Sequence, residues 1–297
     1  MPHTSRGVES PITLEFVQEV DLLRGAQAHL YPSAVTYDPV GNEICVTENR
    51  GRSFHILNNL GLELFRTGRF ADLRGPQDGS LAADGSIIFL DLNRDRPGAS
   101  IRKLNLFGEP VVFLSESPSP AWSPQHLVIT PDGGLLTLDG TLGILAMHDA
   151  DSGSLLWKQD VMENKTFDLG LGRPGCSIDG RILVPGGESH QVHVFSAEGT
   201  PLNSFGKLGT GPGGMVFPVG VAFGPEDMIL VLDRMRHKIL VFDSAYQYVT
   251  ELGRPGIWPG QFYHPLAIAA SDDGRVFVSQ GFQSRVQVFK IHLEALN

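Results

Sequence analysis

Residues 217–243 read FPVGVAFGPEDMILVLDRMRHKILVFD, and this stretch decides the fold. A turn at 225–227 is followed by the apolar run 228–232, and a second run at 239–242 is equally short. Short runs rich in β-branched and aromatic side chains, bounded by turn residues, are typical of strands. The stretch therefore predicts three consecutive short strands joined by tight turns, with no room for a helix.

The turn recurs along the whole chain at a nearly constant interval. Its last residue falls at 41, 85, 133, 180, 227 and 274, at spacings of 44 to 48 residues. A short apolar run follows each turn, and most runs end in an acidic or polar residue: Glu48, Asp91, Asp139, Asp233 and Gln280. A repeat of this length matches the four-stranded blade of a β-propeller. The sequence therefore predicts an all-β, six-bladed β-propeller.

The N-terminal segment is predicted to complete the last blade. The sixth unit stops after its third strand, whereas residues 14–20 resemble the fourth strand of the fifth unit, residues 248–252. We expect a closing strand at about 12–20 to form the outer strand of blade six, because such pairing removes an open sheet edge. The interpretation is a single domain over 1–297. Its blades are expected at about 31–69, 74–116, 122–160, 170–206, 215–253 and 262–291.

Composition limits the partners and the compartment. With 35 Gly, 20 Pro and only 19% charged residues, the chain fits many strands and turns. A net charge of −10 disfavours a polyphosphate partner, so nucleic acid is not expected. Two cysteines in distant repeats predict no disulfide. The sequence shows no long apolar stretch. We therefore expect no membrane insertion and a soluble, cytoplasmic protein, or an exported one whose signal peptide has been removed.

Several segments resemble the NHL-repeat family. The similarity is strongest in blades five and six, in residues 217–222, 232–234, 237–243 and 253–265. The resemblance implies a funnel-shaped propeller whose first strands line a central channel. Relatives include amidating lyases, RNA-binding domains and extracellular sensor domains, so the resemblance does not imply one reaction.

Three ionisable residues are predicted to share one level of the channel. Two residues past the opening proline of five blades stand Ala34, Asp78, His126, Gly220 and Ala267, and Arg173 takes this place in blade four, where Leu171 replaces the proline. Asp78 and His126 can act as an acid and base or as metal ligands, with Arg173 holding an anion. The same three side chains can instead form a hydrogen-bond network that keeps buried polar groups satisfied. The sequence leaves both interpretations open and favours the network.

No metal or cofactor is assigned from the sequence. Amidating lyases of this fold hold zinc with several histidines at blade openings, and residues 123–127 are similar to one such opening. Only His126 corresponds, because His264 precedes its proline, so a three-histidine zinc site is not expected. A divalent metal in the channel remains part of the catalytic alternative.

A second candidate region lies on the rim of blades five and six. It comprises Arg234, Arg236, His237, Tyr263 and His264. Trp122, Trp258, Phe262 and Phe282 are further aromatic candidates for the rim, or they pack between blades. The favoured function is non-enzymatic: a binding or scaffold propeller that offers its rim or channel to a protein partner or a small ligand. The alternative is a lyase or hydrolase that works in the channel through Asp78, His126 and Arg173.

Overall fold

The computed structural model describes residues 12–20, 22, 30–67, 71–92, 99–113, 116–161 and 170–293. In these ranges the strands form six four-stranded antiparallel sheets, the blades, and one short two-stranded pair. The closing strand and the first three blades are β1 Ile12–Val20; β2 Pro32–Asp38, β3 Glu43–Glu48, β4 Ser53–Leu57 and β5 Glu63–Arg66; β6 Pro76–Leu81, β7 Ile87–Leu92, β8 Ala99–Leu104 and β9 Pro110–Val111; and β10 His126–Ile129, β11 Leu135–Asp139, β12 Ile144–His148 and β13 Leu155–Asp160.

Blades four to six repeat the pattern, with a short parallel pair in the linker between blades four and five. Their strands are β14 Gly175–Cys176, β15 Ile182–Gly186, β16 Gln191–Phe195 and β17 Pro201–Phe205; the linker pair β18 Lys207–Leu208 and β19 Gly214–Met215; β20 Pro218–Phe223, β21 Ile229–Asp233, β22 Lys238–Phe242 and β23 Tyr248–Leu252; and β24 Ala267–Ala270, β25 Arg275–Gln280 and β26 Arg285–Leu293. The chain is therefore the all-β, six-bladed propeller that the repeat predicts.

Helical structure in the described ranges is limited to short 3₁₀ segments. Pro225–Asp227 forms the turn between β20 and β21, and Gly281–Gln283 joins β25 to β26. Among the described residues, no helix has the length and apolar character needed to cross a bilayer.

The second strands are rich in apolar residues and mostly buried because both faces of each blade are covered. Every residue of β21 is buried, for example. One apolar cluster joins Leu183 and Val194 of blade four to Val231 and Leu240 of blade five. Equivalent clusters join the other neighbouring blades. The core is thus a ring of layers between blades, and this explains why the second strands do not alternate with polar residues.

The recurring turn depends on a residue with positive φ. Gly133 and Gly180 have φ of 88° and 86°, a region that glycine enters without steric cost. In blade five Asp227 takes this place with φ of 56°. In blade one the residue is Asn42, with φ of 55°, and not Gly41 as the spacing suggested. The reason is that asparagine tolerates the left-handed region better than most residues.

An acidic residue at or near the end of the second strand ties the incoming linker to its blade in four of the six blades. The Asp91 carboxylate accepts hydrogen bonds from the backbone N–H of Arg74 at 2.9 Å and of Gly75 at 2.7 Å. The Asp233 carboxylate accepts four, from Val216, Phe217, Met235 and Arg236. These buried carboxylates satisfy linker and turn donors that would otherwise be unpaired, which accounts for their recurrence in the sequence.

The N-terminal strand lies where the sequence placed it. β1 pairs antiparallel with β26, from Ile12 opposite Leu293 to Val20 opposite Val286, and is the outer strand of blade six. The Arg285 guanidinium is 2.5 Å from the Glu19 carboxylate, which adds an ion pair to the backbone ladder. Ends joined in one blade close the ring of sheets. That 1–297 forms a single domain stays a prediction.

Candidate functional site

The structure brings the three ionisable channel residues together. Asp78 lies between the other two: its Oδ2 is 2.9 Å from Nε of Arg173 and 3.9 Å from Nδ1 of His126. Each residue lies at or near the start of an innermost strand, on blades two, three and four. The equivalent places on the other blades hold the small residues Ala34, Gly220 and Ala267.

The Asp78 carboxylate is fully engaged by the protein itself. Its side chain is only 1% exposed. Besides the Arg173 guanidinium, it accepts the backbone N–H of Gly79 at 2.8 Å and of Leu127 at 3.0 Å. Nη2 of Arg173 donates to the Leu127 carbonyl oxygen at 2.8 Å. These contacts make Asp78 and Arg173 a brace that joins blades two, three and four, because both charges and most of their hydrogen-bonding capacity are consumed.

Arg173 reaches Asp78 because the inner strand of blade four is displaced toward blade five. The Arg173 N–H donates to the Val219 carbonyl at 2.9 Å, and Arg173 forms a parallel bridge with Gly220. The glycine on its C-terminal side permits this approach, since a Cβ on Gly175 would lie 2.7 Å from the Val221 carbonyl oxygen. As a result, the regular strand β14 is only two residues long.

His126 is the most accessible of the three. Its side chain is 27% exposed. Burial lowers its pKa to about 4, and the positive charge of Arg173 acts in the same direction against the opposing effect of Asp78. The imidazole is therefore neutral near neutral pH. Within the described ranges, no group of three or more His, Cys, Asp or Glu side chains is placed to hold a metal ion.

The channel widens toward the opposite face. A cavity of about 710 Å³ begins one residue pair further along the first strands and opens among the turns that follow them. Its lining includes the carboxyl-bearing residues Asp38, Asp132, Glu226, Asp227 and Asp272. This mouth of the channel is acidic, in agreement with the net charge of −10.

A separate pocket lies on the face where the first strands begin, between blades five and six. It measures about 370 Å³, and we call it the rim pocket. Its lining residues come from linkers and from turns after second strands: Phe217, Arg234, Met235, Tyr263, His264 and Phe282. Met235 is 52% exposed, Phe282 is 61% exposed and Tyr263 is 39% exposed. The rim pocket is therefore an open, mainly apolar depression with aromatic walls.

The aromatic rings of the rim pocket form a connected cluster. The His237 ring stacks on Tyr263 with centroids 5.7 Å apart, and Phe282 meets His264 edge to face at 5.8 Å. His237 Nδ1 accepts the backbone N–H of His264 at 3.0 Å, which leaves Nε2 of neutral His237 as the protonated nitrogen. Burial lowers the pKa of His237, and the neighbouring His264 adds to the effect.

The backbone of His264 is strained. It has φ of 44°, and it precedes Pro265, which disfavours helical backbone in the residue before it. A non-glycine residue in the left-handed region costs of the order of 1–3 kcal/mol. The hydrogen bond to His237 and the packing against Tyr263 and Phe282 hold His264 in this conformation.

The two predicted rim arginines differ in what they contact. Arg236 donates to the carbonyl oxygens of Thr210 and Gly214 and pairs with Glu251, and its side chain is only 6% exposed. Arg234 lines the rim pocket and is partly buried, and its guanidinium has no hydrogen bond or ion pair with the described residues. Of the five predicted rim residues, Arg234, Tyr263 and His264 line the pocket, His237 supports it, and Arg236 serves the linker.

Sequence reasoning missed two residues of the rim pocket, Phe217 and Met235. Phe282 was named only among aromatic candidates. Their positions in the repeat could have identified them. Phe217 precedes an opening proline, as Tyr263 and His264 do. Met235 and Phe282 lie in the loops just after second strands. Of the other aromatic candidates, Phe262 is fully buried and Trp122 packs between blades, whereas Trp258 is exposed and lies outside the lining.

Comparisons with known proteins agree with the fold. A family profile described as a 6-bladed beta-propeller (DUF5128) matches residues 176–290. None of the curated proteins matches the sequence significantly. Virginiamycin B lyase from Staphylococcus aureus is similar in structure, with a TM-score of 0.65 and 13% identity over 94% of this chain and 99% of the lyase.

Two other solved structures have a similar architecture. A protein of unknown function from Bacteroides thetaiotaomicron has a TM-score of 0.70 and 9% identity, over 95% of this chain and 76% of that one. The WD40 propeller domain of Doa1 has a TM-score of 0.58 and 12% identity, over 86% and 78%. Identities this low support the fold alone.

Proposed function

We propose that this chain is a single-domain, NHL-type propeller with a non-enzymatic binding role, and that its binding site is the rim pocket. The contrast between the channel and the rim carries the proposal. The Asp78 carboxylate in the channel is buried and saturated by its own chain. The rim pocket exposes aromatic side chains and an arginine whose guanidinium has no hydrogen bond or ion pair with the part of the chain that the structure describes. Binding sites combine an apolar surface with a few polar groups whose hydrogen bonds are not yet made.

The ligand of such a site is a small molecule or an aromatic side chain of a protein partner. Single apolar residues are common on protein surfaces, but adjoining exposed aromatic residues around a depression mark interaction sites. RNA and DNA remain unexpected, because the net charge of −10 and the acidic channel mouth repel phosphates.

The alternative function is a channel lyase or hydrolase that uses Asp78, His126 and Arg173. The observation in its favour is His126, which is neutral near neutral pH and retains access to solvent. A neutral imidazole can accept a proton during a reaction. Against it, neither Asp78 nor Arg173 is available to a substrate unless their ion pair breaks.

Methionine methyl resonances test the proposal directly. Met235 lines the rim pocket, whereas Met147 is buried in blade three and Met215 is buried between blades four and five. A protein with isotope-labelled methionine methyl groups is titrated with a set of one-ring and two-ring aromatic fragments. We expect saturable shifts at Met235, assigned through Met235→Leu, while Met147 and Met215 stay unchanged.

Two variants define the outcome of that titration. Tyr263→Ala should remove the shifts at Met235, because it deletes a wall of the rim pocket. Trp258→Ala is the matched control: this tryptophan is 69% exposed on the same linker but does not line the pocket. A fragment set that leaves Met235 unshifted, or shifts that persist unchanged in Tyr263→Ala, would contradict the proposed site.

A further inference from the structure

The lining of the rim pocket carries basic groups in an otherwise acidic protein. Among the described residues that line it, Arg234 and His264 are basic and none carries a carboxylate. The carboxylate of Asp233, next to Arg234 in sequence, is buried and already accepts four backbone N–H groups. The Glu251 carboxylate is held by Arg236 and Lys238. Neither of these two carboxylates forms an ion pair with Arg234.

Arg234 is the described lining residue whose side-chain hydrogen-bond donors lack acceptors. A guanidinium has five N–H donors in a planar fork, which matches the two oxygens of a carboxylate. In this chain the other partly buried arginines near the pocket are engaged, Arg236 by Glu251 and Arg285 by Glu19. Arg234 has no such oxygen partner among the described residues. An anionic ligand would supply it.

The size and walls of the rim pocket define the rest of the ligand. About 370 Å³ lies near the lower end of the roughly 300–1,000 Å³ typical of small-molecule pockets. Phe217, Tyr263, Phe282 and the Met235 thioether surround it. Aromatic walls and a methionine sulfur favour a flat apolar group through stacking, edge-to-face and sulfur contacts. Room for one or two rings remains.

We propose that the rim pocket binds a small aromatic carboxylate, with the ring among Phe217, Tyr263 and Phe282 and the carboxylate on Arg234. The assignment rests on the proposed function, since it takes the rim pocket as the binding site. A cationic aromatic ligand could contact the same aromatic side chains, but the positive charge of Arg234 would repel it.

Three probes with the same ring separate charge from shape: phenylacetate, phenylacetamide and phenethylamine. Binding to the intact chain is followed at the Met235 methyl resonance. We expect phenylacetate to bind at least about tenfold tighter than the amide, because a charge-assisted, bidentate contact is roughly twice as strong as a neutral one. The amine should bind more weakly than the amide.

Arg234→Gln should reduce phenylacetate affinity to that of the amide and leave amide binding unchanged. Arg254→Gln is the matched control, since it removes an equal charge from an exposed arginine outside the pocket lining. Equal affinities of acid and amide, or equal losses in both variants, would overturn the anion assignment while the pocket remains a binding site. Tightest binding of the amine, or binding of none of the three probes, would overturn the ligand class. Failure of the proposed function itself shows separately, as an unshifted Met235 across the whole fragment set.

Discussion

The channel and the rim pocket each contain an arginine near a histidine, yet the two regions use them differently. In the channel, Arg173 is paired with a buried carboxylate and a backbone carbonyl, and it links three blades. On the rim, Arg234 lines a pocket with aromatic walls and has no acceptor within the described ranges. A polar group near the axis of a propeller is therefore not by itself a binding site. Unfilled hydrogen-bonding capacity is the better indicator.

The largest effect is expected from Asp78→Ala. The substitution leaves Arg173 charged and buried without its partner, which costs about 3–5 kcal/mol of unfolding free energy. Urea denaturation of the variant and the parent measures the loss. Asp151→Ala is the control, because the side chain of Asp151 is 90% exposed and its contact with Lys103 spans 3.6 Å. If both variants unfold like the parent, the channel brace is not structural.

His126 is expected to give the channel a pH dependence. Its pKa is lowered from 6.5 to about 4 in the folded chain, so the unfolded chain binds the proton more readily. The free energy of unfolding therefore has its full value above about pH 6.5. It decreases as the pH drops toward 4, by ~2 kcal/mol after allowance for the partial exposure of His126. Denaturation midpoints across this range should fall less steeply for His126→Gln. A residual slope is expected, because burial also lowers the pKa of His55 and His148. An unchanged slope in His126→Gln would show that His126 titrates normally.

Phe282→Ala tests the rim side of the comparison with a smaller change in stability. The ring is 61% exposed, so the unfolding free energy should stay within about 0.5 kcal/mol of the parent. Phenylacetate affinity should nevertheless fall several-fold, because the substitution removes one aromatic wall. Phe107→Ala serves as control, since Phe107 is 73% exposed and lies outside the pocket lining. A large loss of stability with unaltered binding would place Phe282 in the architecture instead.

The fold could be predicted because the repeating residues meet requirements of the backbone. A residue with positive φ is needed in every turn between the first two strands, and the buried acid at the end of the second strand binds linker N–H groups. Both needs recur in most of the blades, so the pattern survives wide variation elsewhere. Asn42 shows the limit, since more than one residue type meets the backbone requirement.

The sites were harder to predict because they depend on side-chain reach between distant segments. The sequence placed Asp78, His126 and Arg173 at one level but could not show that blade four shifts far enough for Arg173 to contact Asp78. Similarly, nothing in the sequence showed that Arg236 pairs with Glu251 while Arg234 has no ion pair with the residues that the structure describes. Such differences depend on the path of the linkers, which follow no repeat.

The central claim is that the channel arginine is structural and the rim arginine is functional. Two identical substitutions, Arg173→Met and Arg234→Met, test it in one urea denaturation series against the parent. We predict that Arg173→Met loses about 3–5 kcal/mol, because Asp78 then remains buried without its counter-charge. Arg234→Met should unfold within about 0.5 kcal/mol of the parent, because its guanidinium has no hydrogen bond or ion pair with the described residues to lose. Equal losses in the two variants, or a larger loss in Arg234→Met, would contradict the account.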